Sequence, residues 1–484
     1  MSKKERPNIL WICSDQQRYD TLGCYGNRFV HTPYLDALSA QGAMFENAIC
    51  QSPVCSPSRG SFLTGRYPVT CRQRQNGADI PNSEILVTKI LHDAGYSCGL
   101  AGKLHLRACN PASGCTEMES RIDDGYDEFH WSHDTSGSWG MHNEYYAWLR
   151  ETYGVSYHVE DTPQSRYVQF GMPVEQHQTY WCAEMAIDFI QKHKDSSQPW
   201  LFSINMYDPH HPFDPPRELL RRYIDRLDEI PLPDYVPSEE EEKTIWQKQD
   251  HTGAYNHHAG FDFTAMNVTD HRMVKAAYWA MCDMIDLQVG RVLQELGKCG
   301  ELEQTIVVFH SDHGEMLGDH GIYLKGPFFY DPCIKVPFII SWPGHISPAK
   351  YSQIVQLMDI PQTLLELCGS VPIEKMQGDS LCKIFRSPQM QLHESAYCEY
   401  LNAMPWHTEP KAFASMARTK DWKLVVSHSI RGEGELYDLV TDPGEHRNLY
   451  ADPAFLEKKT ELMECLLRHW SHTADPVPVR KSDW

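Results

Sequence analysis

The chain has 484 residues, 41% apolar and 23% charged, with a formal charge of −21 at neutral pH. The composition is that of an ordinary globular protein, long enough for two domains. The acidic balance argues against nucleic acid and anionic membrane surfaces, and mildly against a long polyanionic substrate, and no apolar run approaches the length of a membrane span. In chain order, Asn8 to Cys13 reads as a buried strand, Ile85 to Asp93 as a helix and Tyr96 to Ala101 as a strand. Thr179 to Lys192 carries apolar residues at helical spacing, and Trp200 to Met206 is a strand behind Pro199. Arg272 to Leu296 is a long helical pattern ended by Gly297. Thr305 to Phe309 and Pro337 to Ser341 complete the strands of this part.

Strands alternating with helices predict an α/β architecture with a mostly parallel central sheet flanked by helices. Composition changes near 371–379. Beyond it, the strand patterns 395–400 and 422–427 and a helix from about 454 to 470 predict a smaller α+β domain with an antiparallel sheet. The expected boundaries are 1–375 and 376–484. The segments 108–178 and 214–267 look loop-rich, fit for binding walls. The acidic run Glu239 to Glu242 behind Ser238 reads as a solvated helix start.

The sixteen Cys have no regular spacing and no Cys-x-x-Cys, which suits a reducing compartment with most thiols as small buried apolar groups. The N-terminus passes directly from Lys3-Lys4-Glu5-Arg6-Pro7 into the first strand, which leaves no room for a signal peptide. A cytoplasmic, bacterial protein is expected. Oligomeric state is not encoded legibly; a homo-oligomer is open.

Cys55-Ser56-Pro57-Ser58-Arg59 is the most informative stretch. Pro57 fits a first helical turn, which sets Cys55 just before a helix N-terminus where an anion is favoured. Arg59 adds a permanent forked charge. The plain alternative is a lone, partly buried Cys at a helix start. Three predicted strands end in polar clusters: Asp15-Gln16-Gln17-Arg18, Tyr207-Asp208-Pro209-His210-His211, and Ser311-Asp312-His313-Gly314-Glu315. Ligands in open α/β sheets sit beyond the carboxyl ends of strands. Asp15, Gln16, Asp312 and His313 offer hard oxygens and one imidazole, a set that favours Ca²⁺ and leaves Mn²⁺, Mg²⁺ or Zn²⁺ open. Taken alone, Asp312-His313-Gly314 could equally be a strand-terminating turn.

Cys55-x-Pro57-x-Arg59, with Thr64-Gly65-Arg66 behind it, resembles the signature of type I sulfatases in the alkaline phosphatase superfamily. Gly102-Lys103-Leu104-His105, His210 in His-x-Pro-Phe, Lys325-Gly326 and the late Glu435-Leu436-Tyr437-Asp438 pattern, which reads as structural, extend the resemblance from Pro7 to about Leu449. It implies an alkaline phosphatase-like fold and a sulfuric ester hydrolase. It further implies that a maturation enzyme oxidises Cys55 to formylglycine, and that Asp15, Gln16, Asp312, His313 and residue 55 hold one divalent cation. Arg59, Lys103, His105, His210 and Lys325 are the implied catalytic residues, around a small sulfated sugar, alcohol or aryl ester. Gln16 departs from the commonest Asp-Asp pair and matches phosphonate monoester hydrolases of the same superfamily, which makes phosphonate or phosphodiester hydrolysis the alternative. The Lys103/His105 pair weighs towards sulfate.

Overall fold

The computed structural model describes residues 6–109, 118–135, 143–257, 260–477 and 482. The main strands in chain order are β1 (Asn8–Ser14), β2 (Ala43–Ile49), β3 (Ser97–Gly102), β4 (Glu128–Trp131), β5 (Trp200–Asn205), β6 (Thr305–Ser311), β7 (Phe338–Ser341) and β8 (Ala349–Gln356). They form one sheet in the order β8-β2-β7-β6-β1-β5-β3-β4, with the short strand Lys335–Val336 pairing β2. All neighbouring pairs on the main path are parallel except the two that β7 makes. β1 lies at the centre, and both of its faces are buried. Ile9, Trp11 and Cys13 enter one core while Leu10 and Ile12 enter the other. That double burial is why the strand reads as a continuous apolar run rather than an alternation.

Helices cover the faces, including α1 (Cys55–Thr64), α2 (Gln178–His193) and α3 (Val268–Lys298). Helix α3 begins four residues earlier than the sequence pattern, because Asn267 caps the amides of Thr269 and Asp270, and it runs through Gly297 to Lys298. A Gly in a final turn weakens a helix without ending it. The loop-rich segments also contain short helices at Glu144–Tyr153, Arg217–Ile224 and Ile245–His251.

Strands β9 (Ser395–Leu401), β10 (Phe413–Thr419), β11 (Trp422–Ser427) and β12 (Gly434–Asp438) make an antiparallel meander, against which α4 (Leu456–His472) packs. A buried charge cluster ties this sheet to the first. Asp331 receives Arg418 at 3.0 and 2.9 Å and Lys423 at 2.7 Å, and Lys423 also pairs with Glu445. Glu435 accepts from Gln247, so the late acidic pattern is structural here.

One expectation is corrected by the packing. Glu239, expected on a solvated helix start, turns inward from a short 3-10 helix and receives the Nδ1 atoms of His320 and His446, each at 2.7 Å.

Candidate active site

Strands β6, β1, β5 and β3 are parallel neighbours, so their carboxyl ends share one edge of the sheet. β6, β1 and β3 deliver polar residues there directly behind their last ladder bonds, Asp312 and His313, Asp15 and Gln16, and Lys103, while the chain leaving β5 at Asn205 turns before it presents His210. The turn out of β3 needs Gly102. Its φ is +107°, and a Cβ there would stand 1.9 Å from the Asn205 carbonyl oxygen. Gln16 and His105 hold left-handed φ values of 65° and 59°. Side chains seldom adopt this region, and such residues gather where the surroundings over-determine them. At Gln16, the amide N–H donates to Asp312 Oδ1 at 3.0 Å and the carbonyl accepts from the Tyr278 hydroxyl. At His105, Glu119 accepts from its amide N–H and those of the next two residues.

Cys55 is the first residue of α1 rather than the one before it, with extended Val54 as the cap. All ten residues of this helix are buried. The Cys55 thiol meets three groups: Lys325 Nζ at 2.8 Å, His313 Nε2 at 3.1 Å and Asp15 Oδ1 at 3.6 Å. Asp15, Cys55, Asp312 and His313 each place a ligand atom within 4.8 Å of the others. They form a buried potential metal-binding cluster, into which Gln16 Oε1 also reaches by accepting from Lys325 Nζ at 2.7 Å.

Fixed cations surround the cluster. Arg59 Nε donates to Asp312 Oδ2 at 2.9 Å and its Nη2 lies 3.3 Å from Asp15 Oδ2, while Lys103 Nζ holds the same Asp15 oxygen at 2.6 Å. Burial raises the Asp15 carboxyl, but Lys103, Arg59 and Lys325 outweigh it and hold the group well below the usual carboxylate range. Burial and Asp15 push the Cys55 thiol up, and the Lys103 and Lys325 ammonium groups bring it below an ordinary thiol.

The imidazoles have assigned roles. His313 Nδ1–H donates to the Gly314 carbonyl at 2.8 Å, which turns a bare Nε2 towards Cys55. His210 Nδ1–H donates to the His211 carbonyl at 2.6 Å, so Nε2 accepts from Lys325 at 2.8 Å. Burial and then the Lys325 charge push His210 well below the ordinary imidazole range, which keeps it neutral. Lys325 therefore directs its donors at Gln16, Cys55 and His210 together. His105 makes no hydrogen bond to Cys55; it lines the same cavity, edge-on to His133 with ring centres 4.6 Å apart.

Thus the structure gathers Asp15, Gln16, Cys55, Arg59, Lys103, His210, Asp312, His313 and Lys325 into one contact network, with His105 on the adjoining wall. Sequence reasoning passed over Glu315, a buried carboxylate that accepts from the Gln16 amide and from the backbone N–H groups of Leu317 and Leu324. Its place three residues behind Asp312 was the available signal. It also set aside His211, which lines the cavity beside His210. Tyr255 and Trp406 line its outer part, and no pattern in the sequence marks them.

The sulfatase family profile matches residues 7–370, three-quarters of the chain. The chain belongs to the sulfatase family. A second profile, described as the C-terminal part of N-sulphoglucosamine sulphohydrolase, matches residues 318–471. An arylsulfatase of Clostridium perfringens is 30% identical over 96% of this chain and 94% of its own length. A solved phosphonate monoester hydrolase of Agrobacterium radiobacter superposes with a TM-score of 0.82 at 23% identity, covering 98% of this chain and 97% of that one. Another structure, described as a complex with its substrate D-glucosamine-2-N,6-O-disulfate, gives 0.77 at 21% identity, over 99% and 100% of the two chains. At those identities the structural likeness shows the alkaline phosphatase-like fold; the family profile and the arylsulfatase carry the reaction. The sulfatase is a sulfuric ester hydrolase. Among its described residues, no helix is long and apolar enough to cross a membrane.

Proposed function

We propose that this sulfatase hydrolyses a small sulfate ester with residue 55 matured to formylglycine and with one divalent cation, Ca²⁺, beside it. The observation that carries the reading is the convergence of Asp15, Asp312, His313 and residue 55 from three separated segments. The donor set fits the ion. Two fully buried carboxylates, the Gln16 amide oxygen and a bare His313 nitrogen make oxygens the majority, which favours a hard cation. Sγ of Cys55 marks the position of the oxygens that the hydrated aldehyde would carry. When bound, the cation and the hydrated aldehyde supply an acidified hydroxyl as nucleophile and a second hydroxyl whose collapse releases sulfate.

The rest of the work falls to side chains in place. A sulfate monoester repels anionic nucleophiles, so its charge has to be met by fixed cations that need no reorganisation. Lys103, Lys325 and Arg59 are held there by carboxylates, by Gln16 and by the Lys103 carbonyl, which accepts from Arg59 at 2.8 Å. Neutral His210 and the Lys325 ammonium lie 2.8 Å apart beside residue 55, a pair suited to steadying and protonating a departing alcohol oxygen. His105, also kept neutral by burial and the Lys103 charge, is the base candidate in the cavity lining.

The test is co-production with a formylglycine-generating enzyme, intact-mass analysis and turnover of an aryl sulfate against an aryl phosphonate ester. The expected result is an aldehyde at residue 55, preference for sulfate and loss of activity on chelation. Active protein with an unmodified thiol at 55 contradicts the reading. A preference for the phosphonate would shift it to the alternative that Gln16 keeps open.

A further inference from the structure

The side-chain amide of Gln16 is held from both ends. Its oxygen Oε1 accepts from Lys325 Nζ at 2.7 Å, and its nitrogen Nε2 donates to Glu315 Oε2. An ammonium can only donate, and a carboxylate accepts, so both contacts select the same orientation of the amide. The oxygen faces Lys325, whose Nζ also touches residue 55, and the nitrogen faces Glu315.

Glu315 is itself fixed. It is fully buried. Its second oxygen, Oε1, accepts from the backbone N–H groups of Leu317 at 2.8 Å and Leu324 at 2.5 Å. Both leucines hold left-handed φ values, 52° and 65°. Bulky side chains seldom adopt that region unless their surroundings impose it. Here one carboxylate receives both amides. The Met316 N–H also donates to the Leu324 carbonyl at 3.0 Å, which closes the loop that delivers Lys325. Glu315 therefore ties together the two partners of the metal cluster that come without a negative charge, Gln16 and Lys325.

The same contact restricts what position 16 can hold. A carboxylate of equal length there would set an oxygen, in place of the amide NH₂, against Glu315 Oε2. Two carboxylates at hydrogen-bond distance repel unless they share a proton. A shorter carboxylate would leave Glu315 Oε2 without this donor and add a further negative charge beside Asp15 and Asp312.

We infer that Glu315 is a positioning residue of the metal cluster. Its carboxylate sets the Gln16 amide with the oxygen towards Lys325 and the cluster, and its charge is the reason that position 16 carries an amide. This rests on the cation proposed at Asp15, Asp312, His313 and residue 55, and adds a residue outside that ligand set. Partners that orient a metal ligand from behind are worth about ten- to a hundredfold in metal affinity.

The experiment is a cycle of Glu315→Gln, Gln16→Glu and the two changes together, each in the full chain with residue 55 matured. Glu315→Gln preserves shape but turns an NH₂ group either on the Gln16 NH₂ or on the Leu317 and Leu324 N–H groups. Gln16→Glu opposes two carboxylates. With both changes every hydrogen bond returns, because the amide and the carboxylate have exchanged places at constant net charge. The readout is Ca²⁺ retained in equilibrium dialysis against graded chelator, with thermal unfolding and kcat measured beside it. Each single change should weaken Ca²⁺ retention by about ten- to a hundredfold. The double change should recover most of that loss, the coupling expected of residues in direct contact. Unchanged Ca²⁺ retention in both single variants, whatever their thermal stability, overturns the inference and leaves the metal reading standing. So does a double variant that retains Ca²⁺ no better than the weaker single one, including the case in which neither folds. A parent protein that retains no Ca²⁺ overturns both.

Discussion

Lys325→Met is the most discriminating perturbation of the site. The side chain is 2% exposed and donates at 2.7 to 2.8 Å to Gln16 Oε1, Cys55 Sγ and His210 Nε2. Met fills a similar volume, so the change deletes a charge and its hydrogen bonds with little effect on packing. Removing one preorganised donor from a water-excluded catalytic site costs about 2.7–4 kcal/mol, or roughly a hundred- to a thousandfold in kcat. If Lys325 steadies and protonates the departing oxygen, that cost depends on the leaving group. A sugar alkoxide is a poor leaving group and should suffer the full loss. A 4-nitrophenolate leaves readily without a proton and should lose about tenfold or less. The assay is kcat across aryl and alkyl sulfates of graded leaving-group acidity, with circular dichroism to establish folding. The variant should show the steeper dependence. A uniform loss across the series would refute the leaving-group role and make Lys325 a holder of Gln16 and residue 55 only.

Cys55→Ala should abolish turnover while thermal unfolding stays close to that of the parent, because a small buried side chain is exchanged for a slightly smaller one. Asp331→Asn should destabilise the protein by about 3–5 kcal/mol in a denaturant titration, since it leaves the buried Arg418 and Lys423 short of their shared carboxylate. Burial raises the Asp331 carboxyl, but Arg418 and Lys423 hold it well below the usual range. Its contribution is therefore complete above about pH 4 and is lost as the pH falls through the depressed native value. Asp214 behaves oppositely. Burial raises it to about 8, so the folded state binds a proton that the unfolded state releases near pH 4, and stability falls as pH climbs between those values. Asp214→Asn should flatten that slope, and an unchanged slope would show that Asp214 is already ionised in the native protein.

The strands that build the site were the most legible part of the chain. β1, β5 and β6 lie at the centre of the sheet, so their apolar runs were continuous and their polar ends abrupt. β2, β8 and β10 were not singled out. β8 is a partly exposed edge strand with Lys350, Ser352 and Gln353 interrupting its pattern, and β2 carries Glu46 and Asn47 where it faces that edge. Helix α1 is buried on every side, which removes the amphipathic stripe that periodicity detects; only the Cys-x-Pro-x-Arg spelling revealed it.

What the residues alone determined is the chemistry on offer: a reactive position at a helix start, hard-oxygen ligands, and Lys, Arg and His for an anion. Those are properties of side-chain types and short spacings, which survive in a linear string. The tertiary structure decided which of them share a space. Parallel pairing of β6, β1, β5 and β3 brings residues up to about three hundred positions apart to one edge. It also decided which nitrogen of each imidazole is free, because that depends on a carbonyl supplied by the local turn. The aromatic pair in the cavity lining is wholly a product of packing. Tyr255 and Trp406 meet where Asp250 and Trp246 of the insertion bond to His407 and Pro410 near the second sheet, and no local rule of sequence encodes a contact across such a distance.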